Sequence, residues 1–433
     1  MAKGSVVDAL YEKVANDEDA RTCTDISEDA CREVPGNFFR IIAANTLTKV
    51  GDLLISPKTV LAWLISAVGA PGSLAGLLVP IRESGSLIPQ LMIGALVRRY
   101  PVRKGFWVLG AALQGVSVLG MALVVWLLDG LAAGWGIVGL LVLFSISRGF
   151  CSVSMKDVQG KCIPKSRRGR LTGLSATLSG ALTFGLTLLI FRGDSDPSVL
   201  FYSALLAGAG AAWLVAALMF LSVDEYPGAS EGGSNALREA WNSLSLLKDD
   251  APFRRFVITR ALLMASSLAS PFLVLLAKEQ SSLALLLGSF VLASSLASAV
   301  SATVWGYMAD SSSRTVMVRG GALAALVCVV AGAVSVSGVQ AEGMHWLYPV
   351  AFFILAIAHA GVRIGRKTYM VDMAGGTKRT DYTAVSNTVI GVLLLAVGGI
   401  SAAVALLGND WALLVLGTMG AMGVASAMLL KEV

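Results

Sequence analysis

Twelve apolar stretches, separated by short charged or Gly- and Pro-rich segments, constrain this chain more than any other feature of its sequence. Each approaches the roughly 20 residues that a helix needs to cross a bilayer. Of the 433 residues, 55% are hydrophobic and 14% are charged, against roughly 25% charged in an ordinary soluble domain. One globular core cannot bury that much apolar surface, which excludes a typical soluble enzyme. We expect an all-helical membrane protein, solvated by membrane lipid, with twelve transmembrane helices near 38–66, 73–97, 105–127, 135–155, 171–191, 198–222, 256–277, 283–309, 317–339, 346–370, 383–406 and 412–430.

The Lys and Arg residues are concentrated in alternate loops between these stretches. Loops 98–104, 156–170, 223–255, 310–319 and 366–380 hold 20 of them, while the opposite loops hold only Arg192 and Lys278. Because positive loops stay on the cytosolic side, we expect both termini in the cytosol and a multi-pass protein of a plasma (inner) membrane. The net charge of +6 does not indicate a nucleic-acid partner, because the bases are spread over short loops instead of one soluble face.

The two halves of the chain show an internal repeat. At a separation of 214 residues, Arg40 matches Arg254 and the pair Ser56-Pro57 matches Ser270-Pro271. At 212 Gly94 matches Gly306, and at 211 six residues between 156 and 180 recur. A near-constant separation predicts two parallel six-helix repeats. We therefore expect a cytosolic tail (1–37), an N-terminal six-helix bundle (38–222), a cytosolic linker (223–255) and a C-terminal six-helix bundle (256–430).

Two short loops, 94–104 and 306–314, lie at equivalent places in the repeat. They resemble the signature of the major facilitator superfamily, which has the form G-x-x-x-D-x-x-G-R-[RK]. The second copy keeps the acid and the base, whereas the first has Arg98 where the family has its acid. A further likeness, to the family element P-x-x-x-R-G-R-x-x-G, lies at 164–173. The resemblance implies the family fold of two halves, with spans 1, 4, 7 and 10 around a central cavity, and it assigns gating to Gly94, Arg98, Arg103, Gly306, Asp310 and Arg314.

Two acids lie inside predicted spans, Asp52 in span 1 and Glu83 in span 2. An ionisable side chain within the bilayer is costly, so each is a functional candidate. A carboxyl group at that depth can hold a proton and release it when water or a cation approaches. We expect Asp52 and Glu83 to be proton-coupling residues. The alternative is that both are permanent ion-pair partners of Lys49 and Arg82.

Basic residues outnumber acids within the predicted spans. A cavity with a positive excess favours an anionic or zwitterionic solute, because guanidinium groups bind carboxylate or phosphate bidentately. In the family fold such residues would face one space, which gives the candidate substrate-binding residues Lys49, Arg148, Arg260, His359 and Arg363. The alternative is that the arginines bond helix carbonyls and that His359 only packs. Lys58 lies nearer a span end, where it can extend to the interface.

The Ser-Pro pairs interrupt spans 1 and 7, because proline removes a helix hydrogen bond. We expect hinges at Pro57 and Pro271. No nucleotide-binding loop G-x-x-x-x-G-K-[ST] occurs, so ATP is not expected to drive the protein. The five cysteines lack the spacing of metal ligands, and we expect them to be reduced, with neither a metal nor a cofactor.

These features favour a monomeric secondary transporter of a small organic anion or zwitterion, proton-coupled and working by alternating access. The first alternative is a proton-coupled exporter of multiple drugs or cationic solutes. The second is a membrane sensor or assembly factor that does not transport. The sequence lacks clustered catalytic groups inside the spans, so we do not expect an enzyme.

Overall fold

The structure of the chain is a computed structural model. It describes residues 7, 10, 11, 26, 28–191, 197–228, 245–281, 284–338, 344–373 and 378–432. Most of the predicted tail and the middle of the predicted linker lie outside the described residues. Within the described part, all regular secondary structure is helical.

Sixteen helices carry the fold, besides short helical segments at 28–32, 72–74, 246–249 and 344–346. The first half contains α1 (Val34–Leu54), α2 (Val60–Ala67), α3 (Ala75–Leu87), α4 (Gln90–Arg98), α5 (Lys104–Leu127), α6 (Gly130–Cys162), α7 (Lys165–Ile190) and α8 (Val199–Leu221). The second half contains α9 (Ala251–Leu262), α10 (Ala265–Leu268), α11 (Ser270–Gln280), α12 (Ala284–Ser311), α13 (Ser313–Val336), α14 (Leu347–Met373), α15 (Lys378–Val404) and α16 (Asn409–Met428).

Nine helical stretches within the described residues are long and apolar enough to cross a membrane. The stretch 251–280 is one of them, and it comprises α9, α10 and α11 in succession. A shorter apolar stretch, Leu285–Ser301, lies in α12. The integral, multi-pass membrane character expected from the sequence is therefore supported by helices of the required length and composition.

Proline residues mark most places where a long apolar stretch divides into shorter helices. Pro57 lies in the non-helical segment between α1 and α2, where the Leu61 amide bonds back to the Ser56 carbonyl at 3.0 Å. Pro89 directly precedes α4, and Pro271 lies in the first turn of α11. Proline has no amide hydrogen and clashes with the preceding turn, so the helix ends before it. The breaks expected at Pro57 and Pro271 are present.

Within each half, the helices pack in the same pairwise pattern. In the first half α5 packs on α6 and α8, α1 packs on α7 and α8, and α3 packs on α6. In the second half α13 packs on α14 and α16, α9 packs on α15 and α16, and α12 packs on α14. Each contact in the first half thus has a counterpart in the second.

The halves meet along two seams and at one end of the bundle. We call the end where α1 begins and α16 ends the terminal end, and the opposite end the far end. The first seam joins α3 to α15, and the second joins α7 to α12. At the far end α2 packs against α11. These contacts hold the halves together along the sides and at the far end.

The N-terminal part of the chain differs from two expectations. Helix α1 begins at Val34, four residues before the predicted start of span 1, and the Phe38 ring packs edge-on against Tyr11, with 5.3 Å between centroids. Cys31 is disulfide-bonded, so the expectation of reduced cysteines is wrong at this residue. The other described cysteines, Cys151, Cys162 and Cys328, are free.

Candidate functional site

Asp52 lies between two guanidinium groups in the middle of the first half. Arg82 Nη2 donates to Asp52 Oδ1 at 2.5 Å, and Arg148 Nη1 donates to both oxygens at 2.9 and 3.1 Å. The three residues come from α1, α3 and α6. The predicted proton-coupling acid and a predicted substrate-binding base are therefore direct partners, which sequence reasoning did not pair.

The two arginines have different surroundings. Arg82 has a side chain only 7% exposed, and its guanidinium lies over the Phe144 ring, 4.8 Å from the centroid. The Arg148 side chain is 39% exposed and that of Asp52 is 30% exposed. A guanidinium stacked on an aromatic face and closed off from water is held in place. Solvent can reach Arg148, so it is the partner that can be displaced from the acid.

A second group of charges, which we call the cationic cluster, consists of Lys58, Arg363 and Arg366. Lys58 follows the break at Pro57, is half-buried, and lies between α1 and α2 instead of at a span end. Its ammonium group is within electrostatic range of both arginines and of Glu83. Arg363 and Arg366 lie on α14, where a spacing of three residues puts them on one face. The cluster therefore joins the two halves across the centre.

Glu83 is the acid nearest the cationic cluster, and it interacts electrostatically with Lys58 and Arg366. Its side chain is exposed, although it follows the buried Arg82 in the sequence. Adjacent residues on a helix point about 100° apart, so α3 directs Arg82 towards Asp52 and Glu83 towards the cluster. Among the described residues, Glu83 has no ion pair within 4 Å, in contrast to the alternative of a permanent pair with Arg82.

His359 and Arg260 have protein partners of their own. The His359 Nδ1 atom is 3.0 Å from Ser266 Oγ, which ties α14 to α10. Arg260 donates from Nη1 to Ser386 Oγ at 2.6 Å and from Nη2 to Asn387 Oδ1 at 3.0 Å, which ties α9 to α15. Arg260 Nε is buried with no partner among the described residues. Lys49 is half-buried on α1 and takes part in neither group.

The predicted gating residues divide between the two halves. Gly94 lies in α4 and Gly306 lies in α12, where a Cβ atom would meet open space. The side chains of Arg98 and Asp310 lie outside the described part of the chain. Arg103 directly precedes α5, and its backbone amide donates to Glu225, which follows α8. Arg314 lies in the first turn of α13 and pairs with Glu432, which follows α16.

Glu225 and Glu432 form what we call the terminal clamps. Glu225, whose side chain is fully buried, accepts from the Arg103 amide at 2.9 Å and the Lys104 amide at 2.6 Å, and it pairs with Lys161. Arg103 itself pairs with Asp157 at 3.0 Å. Glu432, whose side chain is 51% exposed, pairs with Arg314 at 2.9 Å and accepts from Ser312 Oγ at 3.0 Å. Both clamps fix the beginning of a helix at the terminal end, where a carboxylate is favourable.

The far end of the central space is closed. Residues Val60 to Ile65 of α2 and Leu268 to Ala277 of α10 and α11 are buried. Lys278 Nζ donates to the Trp63 carbonyl at 3.2 Å, across the two halves. The described seams lie towards this end too, since Gly76 meets Ala402 and Gly288 meets Phe191. Asp52, Arg148, Glu83 and Arg363 are nonetheless partly or fully exposed.

Sequence reasoning missed Lys58 and Arg366 as members of a central site. The sequence pattern places Lys58 near a span end, and it places Arg366 among the basic residues of the loop 366–380. The spacing of 359, 363 and 366 along one helix face, and the Ser-Pro break before Lys58, are signals that could have found them.

No protein-family model matches the chain, and no curated protein matches its sequence. Several solved structures resemble it over almost their whole length. A mutant form of the nucleoside transporter NupG aligns with a TM-score of 0.72 and 10% identity over 91% of this chain and 99% of that one. A D-xylose-proton symporter aligns with a TM-score of 0.68 and 14% identity over 91% and 97%. The inward-open xylose transporter XylE from E. coli aligns with a TM-score of 0.66 and 13% identity over 92% and 97%.

At identities this low, the likeness establishes the fold. The chain shares the fold of these transporter structures, as the resemblance of the two loops leads us to expect. The fold alone does not specify a substrate, because one scaffold hosts many functions.

Proposed function

We propose that this protein is a secondary transporter that moves a small organic anion or zwitterion by alternating access, coupled to protons. In this proposal two parallel six-helix repeats, 38–222 and 256–430, form twelve spans and rock about a central site. The tail (1–37) and the linker (223–255) lie in the cytosol with both termini, and the protein works as a monomer in the inner membrane. No cofactor takes part.

Three observations support the architecture. The main contacts between helices in the first half have counterparts in the second. The helix breaks at Pro57 and Pro271 recur at the repeat separation, where hinges would serve the rocking motion. The terminal end also carries the basic loops, and positive loops face the cytosol.

The observation that carries the function is the central space itself. In this proposal it holds Asp52 and Glu83 together with the Arg148 and Arg363 guanidinium groups and opens towards the terminal end, and the proposal is supported by the Asp52–Arg148 pair and by the packing of α2 on α11 at the far end. A site accessible from one side only is what alternating access requires. The similar structures are transporters of a nucleoside and of xylose by their names, which supports transport in general.

Asp52 would couple protons through its bond to Arg148. While Asp52 is ionised, it holds Arg148 at 2.9 Å. A proton on the carboxyl group removes the charge that binds the guanidinium, and a charge-assisted hydrogen bond is about twice as strong as a neutral one. Arg148, already accessible to solvent, is then free to bind an anionic group of the substrate. Arg82 stays beside Asp52, stacked on Phe144. Glu83 would act in the same way towards the cationic cluster.

The test is transport by the purified protein in liposomes, first screened with labelled organic anions, zwitterions, cations and neutral solutes. Once a substrate is identified, Asp52→Asn should abolish uphill uptake driven by a pH gradient. Movement of the substrate down its own concentration gradient should remain. Asp129→Asn is the matched control, because Asp129 is exposed in the loop before α6. Uphill uptake intact in Asp52→Asn would exclude Asp52 as the coupling residue.

The same screen decides between the alternatives. Transport of lipophilic cations alone would indicate the multidrug or cationic-solute exporter. Absence of flux for every solute, with binding retained, would indicate the non-transporting sensor or assembly factor.

A further inference from the structure

The cationic cluster differs from the Asp52 group in its charge balance. Asp52 is bound by two arginines and has no free oxygen, since Oδ1 contacts both arginines and Oδ2 contacts Arg148. In the cationic cluster, by contrast, three cations lie near one acid, Glu83. The cluster therefore has a formal excess of two positive charges.

The cluster also lacks partners. Among the residues that the structure describes, the side chains of Lys58, Arg363 and Arg366 make no hydrogen bond and no ion pair. His359, on the same face of α14, is occupied by Ser266. Behind the cluster, Arg260 is buried and interacts unfavourably with Arg366. Like charges held together repel each other, and the repulsion grows as water leaves.

This arrangement becomes costly when the cavity closes. In the form described here, Arg363 is exposed while Lys58 and Arg366 are half-buried, so solvent can stabilise part of the charge. An alternating-access cycle passes through a state closed at both ends, where unpaired buried cations are strongly disfavoured. A bound group that carries two negative charges would cancel the excess and satisfy several donors at once. A single carboxylate would leave one positive charge uncompensated.

We propose that Lys58, Arg363 and Arg366 form a binding site for a small organic dianion, a dicarboxylate or a phosphomonoester. Guanidinium forks bind either group bidentately and an ammonium adds a point charge. This inference rests on the proposed function, because it names the substrate class of the same central cavity. It adds Lys58 and Arg366 to the site, so that cations of both halves bind the substrate charge while Asp52 carries the proton.

The test is binding to the purified full-length protein in detergent, measured by thermal shift and calorimetry. The dicarboxylate probes are succinate and adipate, each compared with its monomethyl ester. The phosphate probes are glycerol 3-phosphate and glucose 6-phosphate, each compared with its methyl phosphodiester. We expect a dianion from one of the two sets to bind, and its singly charged derivative to bind about tenfold more weakly or worse.

Substitutions should shift the affinity for that dianion in opposite directions. Lys58→Gln and Arg366→Gln should each weaken it about tenfold, whereas Glu83→Gln should strengthen it because the only nearby acid is lost. Arg319→Gln, at an exposed cation in α13, should leave it unchanged. Because the Glu83 variant gains affinity, it tests the site even where a cluster variant does not fold.

The inference is overturned if none of the dianions binds, if the monoesters bind as tightly as the dianions, or if Glu83→Gln weakens binding. Failure of the proposed function looks different. Dianion binding with the expected variant effects but without flux would refute transport and keep the site, while flux of a monoanion or cation would keep transport and refute the dianion.

Discussion

At the scale of single residues, Arg82 and Arg148 share one carboxylate yet differ in what they can do. Arg82 is buried and stacked on Phe144, whereas Arg148 is more than a third exposed. A surface-accessible ion pair contributes little to stability, about 0–1 kcal/mol. Loss of a buried partner leaves a charge without compensation and costs more. Arg82 should therefore matter for stability and Arg148 for transport.

We expect Arg82→Gln to lower the free energy of unfolding by about 1–3 kcal/mol, and Arg148→Gln to lower it by less than about 1 kcal/mol. Chemical unfolding of the purified protein in detergent gives both values. Arg148→Gln should nevertheless abolish transport in liposomes. An equal loss of stability in the two variants would contradict the distinction between a fixed and a displaceable arginine.

The sequence was informative about which residue types matter and less so about their partners. Ionisable groups within apolar stretches singled out Asp52, Glu83, Arg148 and Arg363, because such groups are costly in a bilayer. The partner of each residue depends on which helices pack against each other. The sequence pattern within a single helix does not contain that information. Lys58 shows the effect most clearly, since its position depends on a break whose geometry tertiary packing decides.

At the scale of elements, each terminal clamp connects the segment after the last helix of one half to the start of an earlier helix. Glu225 follows α8 and binds the start of α5, while Glu432 follows α16 and binds the start of α13 through Ser312 and Arg314. Glu225 is fully buried and makes bonds to two backbone amides and to Lys161. Glu432 is half exposed and binds only side chains. The attachment made by Glu225 in the first half is therefore stronger than the one made by Glu432 in the second.

Glu225→Gln should lower the free energy of unfolding by about 1.5–3 kcal/mol. The substitution removes the negative charge that accepts the hydrogen bonds of the Arg103 and Lys104 amides and of Lys161, and water cannot take its place because the side chain is buried. Glu432→Gln is the matched variant, and we expect a change below about 1 kcal/mol. Thermal melts of both variants in the same detergent supply the comparison. A larger effect at Glu432 would contradict the assignment.

Helix positions could be predicted from the sequence, because apolar runs of about 20 residues bounded by charges leave little choice in a bilayer. Each long described helix overlaps one of the predicted stretches. The divisions within the stretches were harder. Pro57 and Pro271 indicated two, but the separation of α9 from α10 at Leu263 and Met264 occurs without a proline. It lies where α10 packs against α13, α14 and α16.

At the scale of the whole molecule, the first seam is built on small residues. Gly76 faces Ala402 and Gly398 faces the ring of Pro80, so that α3 and α15 approach closely. A Cβ atom at Gly398 would lie 2.0 Å from Pro80 Cγ, whereas one at Gly399 would have no neighbour within 4 Å. Close approach of two helices through small residues is typical of membrane bundles. The seam holds the two halves in the form that is closed at the far end.

Gly398→Ala should therefore destabilise the protein by about 1–3 kcal/mol and reduce transport, because the added methyl group pushes α3 away from α15. Gly399→Ala should be neutral or stabilise it by up to about 1 kcal/mol, since alanine favours the helix. Thermal melts and initial transport rates of the two variants test the seam. Equal behaviour of the neighbouring glycines would show that the halves do not meet there.

The unbalanced charge of the cationic cluster makes the cavity responsive to voltage. With the terminal end in the cytosol as proposed, an empty cavity is at the cytosolic potential when open to that side and at the outside potential when open to the other. Moving one charge through 100 mV changes the free energy by about 2.3 kcal/mol. A membrane that is negative inside would hold the empty carrier open to the cytosol. A bound dianion cancels the excess positive charge of the cluster. The membrane potential would then no longer oppose the change of the loaded carrier from the cytosol-open to the outward-open state.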